Sequence, residues 1–194
     1  MTLADKITFL RIILSPVFFI VFFLPSFYPA WFSGGSGWTV PVLWVIFLVC
    51  GLSDMFDGMV ARLRNESSDF GRLFDPFADT IMQITFFLCY VLDGIFPAAL
   101  LLLIIYREFG ILFMRNLMLR KGIAMGARMG GKIKTVTYII AGSTALLTVS
   151  LKRLALFNFL HPFVRMAAIV LFLISVVFSI ISFLDYLSVY RKSN

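Results

Sequence analysis

Charged and metal-binding side chains are scarce in this chain of 194 residues. Only 14% of the residues are charged and 61% are hydrophobic, and the chain has one histidine and two cysteines. This composition excludes an ordinary soluble domain. Cys50 and Cys89 lie inside apolar runs without the spacing of a metal site, so we interpret them as packing residues. His161, beside Pro162, is expected in a loop and without a catalytic role.

The sequence also lacks the alternating pattern of a transmembrane β-strand, and its apolar runs approach the roughly 20 residues that a helix needs to cross a bilayer. We therefore predict an all-α integral membrane protein. The first run has a basic flank but no small-residue cleavage site, so we expect it to be retained. With no internal repeat, residues 1–194 form a single predicted domain, a six-transmembrane-helix bundle with spans at 7–24, 38–61, 73–92, 95–114, 133–150 and 163–187.

The positive charges predict the orientation of the bundle. Six spans place both termini on one side, and only Lys152, Arg153 and Arg165 fall on the opposite side. By the positive-inside rule both termini are cytoplasmic, and we expect the inner (cytoplasmic) membrane of a bacterial cell with the active site facing the cytoplasm. The net charge of +7 then reflects topology and anionic lipid, and no nucleic-acid partner is expected.

Four aspartates recur at spacings of three and four where the second and third spans meet. Asp54 and Asp57 share one helix face, and Asp75 and Asp79 share a face of the next helix. Four carboxylates so close together repel one another, and ionisable groups at a membrane are costly. Two divalent cations would balance them, and oxygen ligands favour Mg²⁺ or Mn²⁺ over zinc.

Other residues between the two pairs allow simpler interpretations. Glu66 and Asp69 are expected in a solvated loop and without a role in the site. Gly58, Ala61 and Gly71 leave the backbone bare where a substrate could approach, although small residues also let membrane helices pack closely.

Residues 54–79 read DxxDGxxAR, eight residues, then GxxxDxxxD. This pattern resembles the signature of the CDP-alcohol phosphotransferases, membrane enzymes of phospholipid synthesis. The resemblance implies two divalent cations, Mg²⁺ or Mn²⁺, and attack of an alcohol on the β-phosphorus of a CDP-linked lipid with release of CMP. It also implies roles for individual residues: metal ligation by Asp54, Asp57, Asp75 and Asp79, general base catalysis by Asp79, and CDP binding by Asp54, Gly58, Ala61, Arg62 and Gly71.

A second basic region is expected to bind the acceptor alcohol. Arg107, Arg115, Lys132 and Lys134 can gather at the cytoplasmic end of the bundle and suit a phosphate dianion. Basic residues at this end also satisfy the positive-inside rule without any ligand. Residues 107–137 resemble the branch of the family that makes phosphatidylglycerolphosphate, which implies CDP-diacylglycerol and sn-glycerol 3-phosphate as substrates. The family also includes homodimers, so a homodimer is an open expectation.

The N-terminal segment ADKITFLRIILSP departs from the family pattern PNxLTxxRxxxxP. Thr8, Arg11 and Pro16 match it, whereas Ala4 and Asp5 replace the Pro and Asn. Thr8 and Arg11 are therefore candidate contacts at the site, and Arg11 could instead anchor the first span at the lipid interface.

Three alternatives for function stay open at the level of sequence. The acceptor could be glycerol 3-phosphate, or it could be another alcohol such as inositol phosphate, serine or phosphatidylglycerol. A divalent-cation transporter is a more remote interpretation of the same acids. Transporters place such groups near mid-membrane at broken helices, whereas the acids of this chain are expected at one face of the membrane.

Overall fold

The computed structural model describes residues 3–29, 35–64, 69–120 and 129–192, without the side chains of 3–7, 54–64, 69–73, 120, 129–130, 132, 189 and 192. These residues form six α-helices, and no strand occurs among them. The helices are α1 (Leu3–Phe27), α2 (Thr39–Arg64), α3 (Asp69–Leu92), α4 (Ala98–Arg120), α5 (Met129–Leu154) and α6 (His161–Lys192).

Most helices extend beyond the predicted spans, because helical geometry continues past the apolar stretch that a span requires. Asp69 and His161, both predicted in loops, are the first residues of α3 and α6. The helix α4 instead begins later than predicted. Gly94 adopts a φ of 75° in the turn before it, and Pro97 disfavours helical geometry in the residue that precedes it.

Among the described residues, three helical segments are long and apolar enough to cross a membrane: Thr8–Phe27, Ile133–Leu154 and His161–Ser188. A shorter apolar segment covers Thr39–Ser53. Large apolar side chains also cover the outside of the bundle, as at Ile13 in α1 and Phe113 in α4, both more than half exposed. An apolar exterior suits contact with lipid, whereas six membrane crossings and the orientation of the termini stay predictions.

The helices pack around a core rich in phenylalanine. The helix α3 is central and contacts α1, α4 and α5, while α6 packs along α4 and α5. Phe96 after α3 and Phe172 in α6 stack with ring centroids 3.9 Å apart. Phe18 and Tyr90 join the same buried cluster. The aromatic core fills the middle of the bundle and fixes how α1, α3 and α6 face one another.

The two ends of the bundle differ in their polar contacts. At the end where α1, α3 and α5 finish, Arg153 donates hydrogen bonds to Thr39 Oγ1 and to the Phe22 carbonyl oxygen, each at 2.6 Å. Lys152 pairs with Asp93 at 3.1 Å beside them. The opposite end, where α1, α3 and α5 begin, contains the residues predicted for the site.

Candidate active site

The signature residues lie on the end of α2 and the beginning of α3. Asp54, Asp57, Gly58, Ala61 and Arg62 occupy the last part of α2, and Gly71 the first turns of α3. Only their backbone positions are described. Their side chains lie outside the described residues, so their predicted roles in metal and CDP binding stay predictions. Asp75 and Asp79 are described one turn apart on α3, both partly exposed.

Helix α1 supplies polar partners to both described aspartates. The Thr8 hydroxyl donates a hydrogen bond to Asp75 Oδ1, and an Arg11 NH1 group pairs with Asp79 Oδ1. Arg11 is only 1% exposed, so it lies inside the bundle and not at a lipid interface. Its second nitrogen lies 3.5 Å from the Thr8 hydroxyl and links the two contacts. Helix α1 therefore contacts both described aspartates through Thr8 and Arg11.

A cavity of about 240 Å³ lies beside these contacts, between α3, α4, α5 and α6. Its lining includes the Asp79 carboxylate and three basic side chains, those of Arg107, Arg115 and Lys134. The structure thus brings three of the four predicted basic residues to one cavity with Asp79. The fourth, Lys132, lies on α5, and its side chain is outside the described residues.

Glu108 occupies the centre of this basic group and is 4% exposed. Both of its carboxylate oxygens accept hydrogen bonds at 2.9 Å from Arg107 NH1. Lys134 Nζ donates to Oε1 at 2.8 Å, and the Tyr138 hydroxyl lies 3.3 Å from the same oxygen. Glu108 therefore joins α4 to α5 beside the cavity and offsets much of the positive charge there.

Arg107 is held rigidly by α6 as well. Its Nε donates to the Ser179 carbonyl oxygen and its NH2 to the Ser182 hydroxyl, both at 3.1 Å. A guanidinium has five N–H donors. The contacts with Ser179 and Ser182, together with those to Glu108, occupy most of them. Arg107 can therefore attract a ligand by its positive charge, but it has few donors left to form hydrogen bonds with that ligand.

Arg115 is the basic residue best placed to bind an anion in the cavity. Its NH2 lies 3.4 Å from the Tyr186 hydroxyl, and its guanidinium lies over the Tyr186 ring, 5.8 Å from the centroid. Its Nε is buried and has no hydrogen-bond partner among the described residues. The guanidinium lines the cavity, and its positive charge and remaining donors suit an anion there.

A second, mainly apolar cavity of about 210 Å³ lies between α2, α3 and α5. Phe47, Leu52 and Phe86 are among its lining residues, and it shares Asp79, Gln83 and Thr135 with the first cavity. The polar and apolar cavities therefore meet at Asp79. This arrangement can hold a molecule with a charged part and an apolar part across the carboxylate.

Sequence patterns did not single out several of these residues. No role was predicted for Tyr186, Gln83 or Thr135, although Thr135 lies in the segment 107–137 that resembles one branch of the family. Their place in the site depends on how α3, α5 and α6 pack. Glu108 did carry a signal, because an ionisable residue inside an apolar run is a functional candidate by default.

A helical bundle with an apolar exterior, two partly exposed aspartates and a basic cavity is suited to phosphorylated substrates that are linked to lipid. A family model described as CDP-alcohol phosphatidyltransferase matches residues 1–181. The chain therefore belongs to this family of phosphatidyl-transferring enzymes, as its signature predicts.

Similar proteins carry more specific names. A CDP-diacylglycerol--glycerol-3-phosphate 3-phosphatidyltransferase from Treponema pallidum is 36% identical, and the match covers 98% of this chain and 89% of that protein. The protein of the same name from Bacillus subtilis is 34% identical over 75% of this chain and 76% of its own length. One from Salmonella paratyphi A is 30% identical over 95% and 92%.

Proposed function

We propose that this chain transfers the phosphatidyl group of CDP-diacylglycerol to sn-glycerol 3-phosphate, forming phosphatidylglycerolphosphate and CMP. The observation that carries the proposal is the cavity that places Asp79 beside Arg115 and Lys134. A carboxylate and an anion-binding group in one cavity suit an acceptor with a hydroxyl at one end and a phosphate at the other. The names of the similar proteins support the same pair of substrates.

In this proposal Asp79 accepts the proton of the attacking hydroxyl. The hydroxyl oxygen forms a bond to the β-phosphorus, and the bond between that phosphorus and the bridging oxygen breaks, so the electron pair leaves with CMP. Arg11 holds the Asp79 carboxylate by its contact with Oδ1 and so orients it toward the hydroxyl. Correct orientation of base and hydroxyl is worth several orders of magnitude in rate.

Arg115 lines the cavity, and in this proposal its guanidinium binds the acceptor phosphate directly. Lys134 and Arg107 add positive charge from fixed positions beside Glu108, and we place Lys132 in the same group from its position on α5. Charge-assisted hydrogen bonds to phosphate are stronger than neutral ones, so this group selects phosphorylated acceptors.

The aspartates fit a pair of hard divalent cations. Asp75 and Asp79 present carboxylate oxygens one turn apart and partly exposed, and oxygen donors are what Mg²⁺ and Mn²⁺ prefer. Asp54, Asp57, Asp75 and Asp79 would hold the two cations, which when bound supply positive charge against the pyrophosphate. Asp54, Gly58, Ala61, Arg62 and Gly71 would bind the CDP part.

The apolar cavity is suited to the lipid part of CDP-diacylglycerol, because it opens from Asp79 along phenylalanine and leucine side chains. We place this end of the bundle at the cytoplasmic face of a bacterial inner membrane, with both termini on that side and all six helices crossing. Lys152, Arg153 and Arg165 are then the only lysines and arginines on the far side, which agrees with the positive-inside rule.

The test is transfer by the purified protein in lipid nanodiscs containing CDP-diacylglycerol. Glycerol 3-phosphate, inositol phosphate, serine and phosphatidylglycerol are each offered with Mg²⁺, with Mn²⁺ and with chelator. We expect metal-dependent CMP release and a new lipid with glycerol 3-phosphate. Efficient transfer to serine with none to glycerol 3-phosphate would refute the proposed acceptor.

A further inference from the structure

Gln83 lies on α3 one turn after Asp79, and it lines both the polar and the apolar cavity. Its side-chain oxygen, Oε1, is buried and has no hydrogen-bond partner among the described residues. The lining of the polar cavity also includes Arg115 and Lys134, whose positive charge suits a negatively charged ligand. A buried acceptor without a donor is costly, so a ligand group that donates a hydrogen bond to the Gln83 amide would be favoured.

A phosphate cannot satisfy Gln83 Oε1, because a phosphate dianion offers acceptors only. A hydroxyl can satisfy it. Glycerol 3-phosphate has two hydroxyls, and in the proposed reaction one of them gives its proton to Asp79. The other hydroxyl, on the central carbon, is left as a donor within the same small molecule.

We propose that the Gln83 amide binds the central hydroxyl of the acceptor and thereby selects glycerol phosphate over acceptors without that hydroxyl. The inference rests on the proposed function and adds a third contact to it. Arg115 binds the phosphate, Asp79 faces the reacting hydroxyl, and Gln83 binds the hydroxyl between them. Three contacts on a three-carbon acceptor fix which of its hydroxyls attacks.

The geometry of α3 supports this division. Residues four apart lie on the same face of a helix, so Asp79 and Gln83 stand one above the other along the cavity wall. An acceptor that extends along this wall can place adjacent hydroxyls against both side chains. If the amide were turned to present its NH₂ group, it would still bind a hydroxyl, as a donor instead of an acceptor.

The experiment compares glycerol 3-phosphate with 3-hydroxypropyl phosphate, which lacks only the central hydroxyl. For the wild-type enzyme we expect kcat/KM to be roughly 10- to 100-fold higher with glycerol 3-phosphate, since the analogue leaves the Gln83 amide unsatisfied. Gln83→Met keeps the length of the side chain and removes the amide. We expect this variant to lose activity mainly with glycerol 3-phosphate, so that the ratio of the two kcat/KM values approaches one.

Thr85→Val is the matched control on the same helix. The Thr85 hydroxyl donates to the Ile81 carbonyl oxygen of its own helix at 2.8 Å, and Thr85 lines neither cavity. We expect this variant to keep the wild-type ratio.

The outcomes separate the inference from the proposed function. A wild-type enzyme that uses both acceptors equally well refutes the role of Gln83 and leaves the function intact, and this result does not depend on whether any variant folds. An unchanged ratio in Gln83→Met refutes it as well. A wild-type enzyme that transfers to neither acceptor refutes the proposed function and the inference together.

Discussion

Arg11 of α1 forms an ion pair with Asp79 of α3, and the arginine is buried almost completely while the aspartate faces the cavity. The contact ties the first helix of the bundle to the proposed general base. Removing a charged partner from a partly buried carboxylate changes both its position and its environment. Arg11 is therefore a positioning residue for Asp79 in the proposed reaction.

Arg11→Met should lower kcat by about 10- to 100-fold, because Asp79 loses the contact that orients it. Arg11→Lys keeps a positive charge without the second nitrogen near Thr8, and we expect it to recover part of the rate. The measurement is CMP release at saturating concentrations of both substrates, with thermal unfolding of each variant in the same detergent. Wild-type kcat in a folded Arg11→Met protein would contradict the role.

Thr8 tests the second contact between α1 and α3. Its hydroxyl donates to Asp75, one of the predicted metal ligands, and partners of this kind commonly change metal affinity or activity by about 10- to 100-fold when they are lost. Thr8→Val keeps the shape of the side chain and removes the donor, so it should raise the Mg²⁺ concentration needed for half-maximal CMP release. Thr8→Ser should stay close to wild type. If Val and Ser variants respond alike to Mg²⁺, Thr8 does not support Asp75.

Local patterns predicted the helices better than they predicted the site. Each apolar run by itself predicts a helix, so hydropathy was enough to predict all six helices. The spacing of four residues was enough to place Asp75 and Asp79 on one helix face. The partners of those aspartates lie more than 60 positions away in sequence, at Thr8 and Arg11. Such pairs depend on which helices pack together, and hydropathy carries no information about that.

The contacts of Glu108 show the same limit of prediction from sequence. Its neighbour Arg107 is adjacent in sequence, and an ionisable pair inside an apolar run is visible there. Lys134 and Tyr138, which complete its contacts, lie on α5, 26 and 30 positions later in the sequence. Sequence therefore assigned Arg107 and Lys134 to a ligand without showing that Glu108 already holds both.

Glu108→Gln should destabilise the fold. The substitution removes the negative charge between Arg107 and Lys134, both less than 10% exposed, and leaves two buried cations without compensation. Breaking a buried ion pair in this way costs about 3–5 kcal/mol of folding free energy. The measurement is the loss of stability in a mixed-micelle denaturation series, compared with wild type.

Asp93→Asn is the control for Glu108→Gln, because it breaks an ion pair at the other end of the bundle. The Lys152 side chain of that pair is 58% exposed, so the loss should be about 1 kcal/mol or less. Similar losses in the two variants would show that the Glu108 group does not carry the stability that its burial implies.

Arg115 and Tyr186 should separate acceptor binding from the chemical step. Arg115→Met removes the cation with a free buried donor in the cavity, and we expect KM for glycerol 3-phosphate to rise by about 10- to 100-fold, with a smaller change in KM for CDP-diacylglycerol. Tyr186→Phe removes only the hydroxyl 3.4 Å from Arg115 and should raise the same KM a few-fold.

Arg165→Met at the opposite end, where Arg165 donates to the Gly94 carbonyl oxygen, should leave both KM values unchanged. Because Arg115 acts on the phosphate and not on the reacting hydroxyl, a loss confined to kcat, with KM for glycerol 3-phosphate unchanged, would place the acceptor phosphate elsewhere.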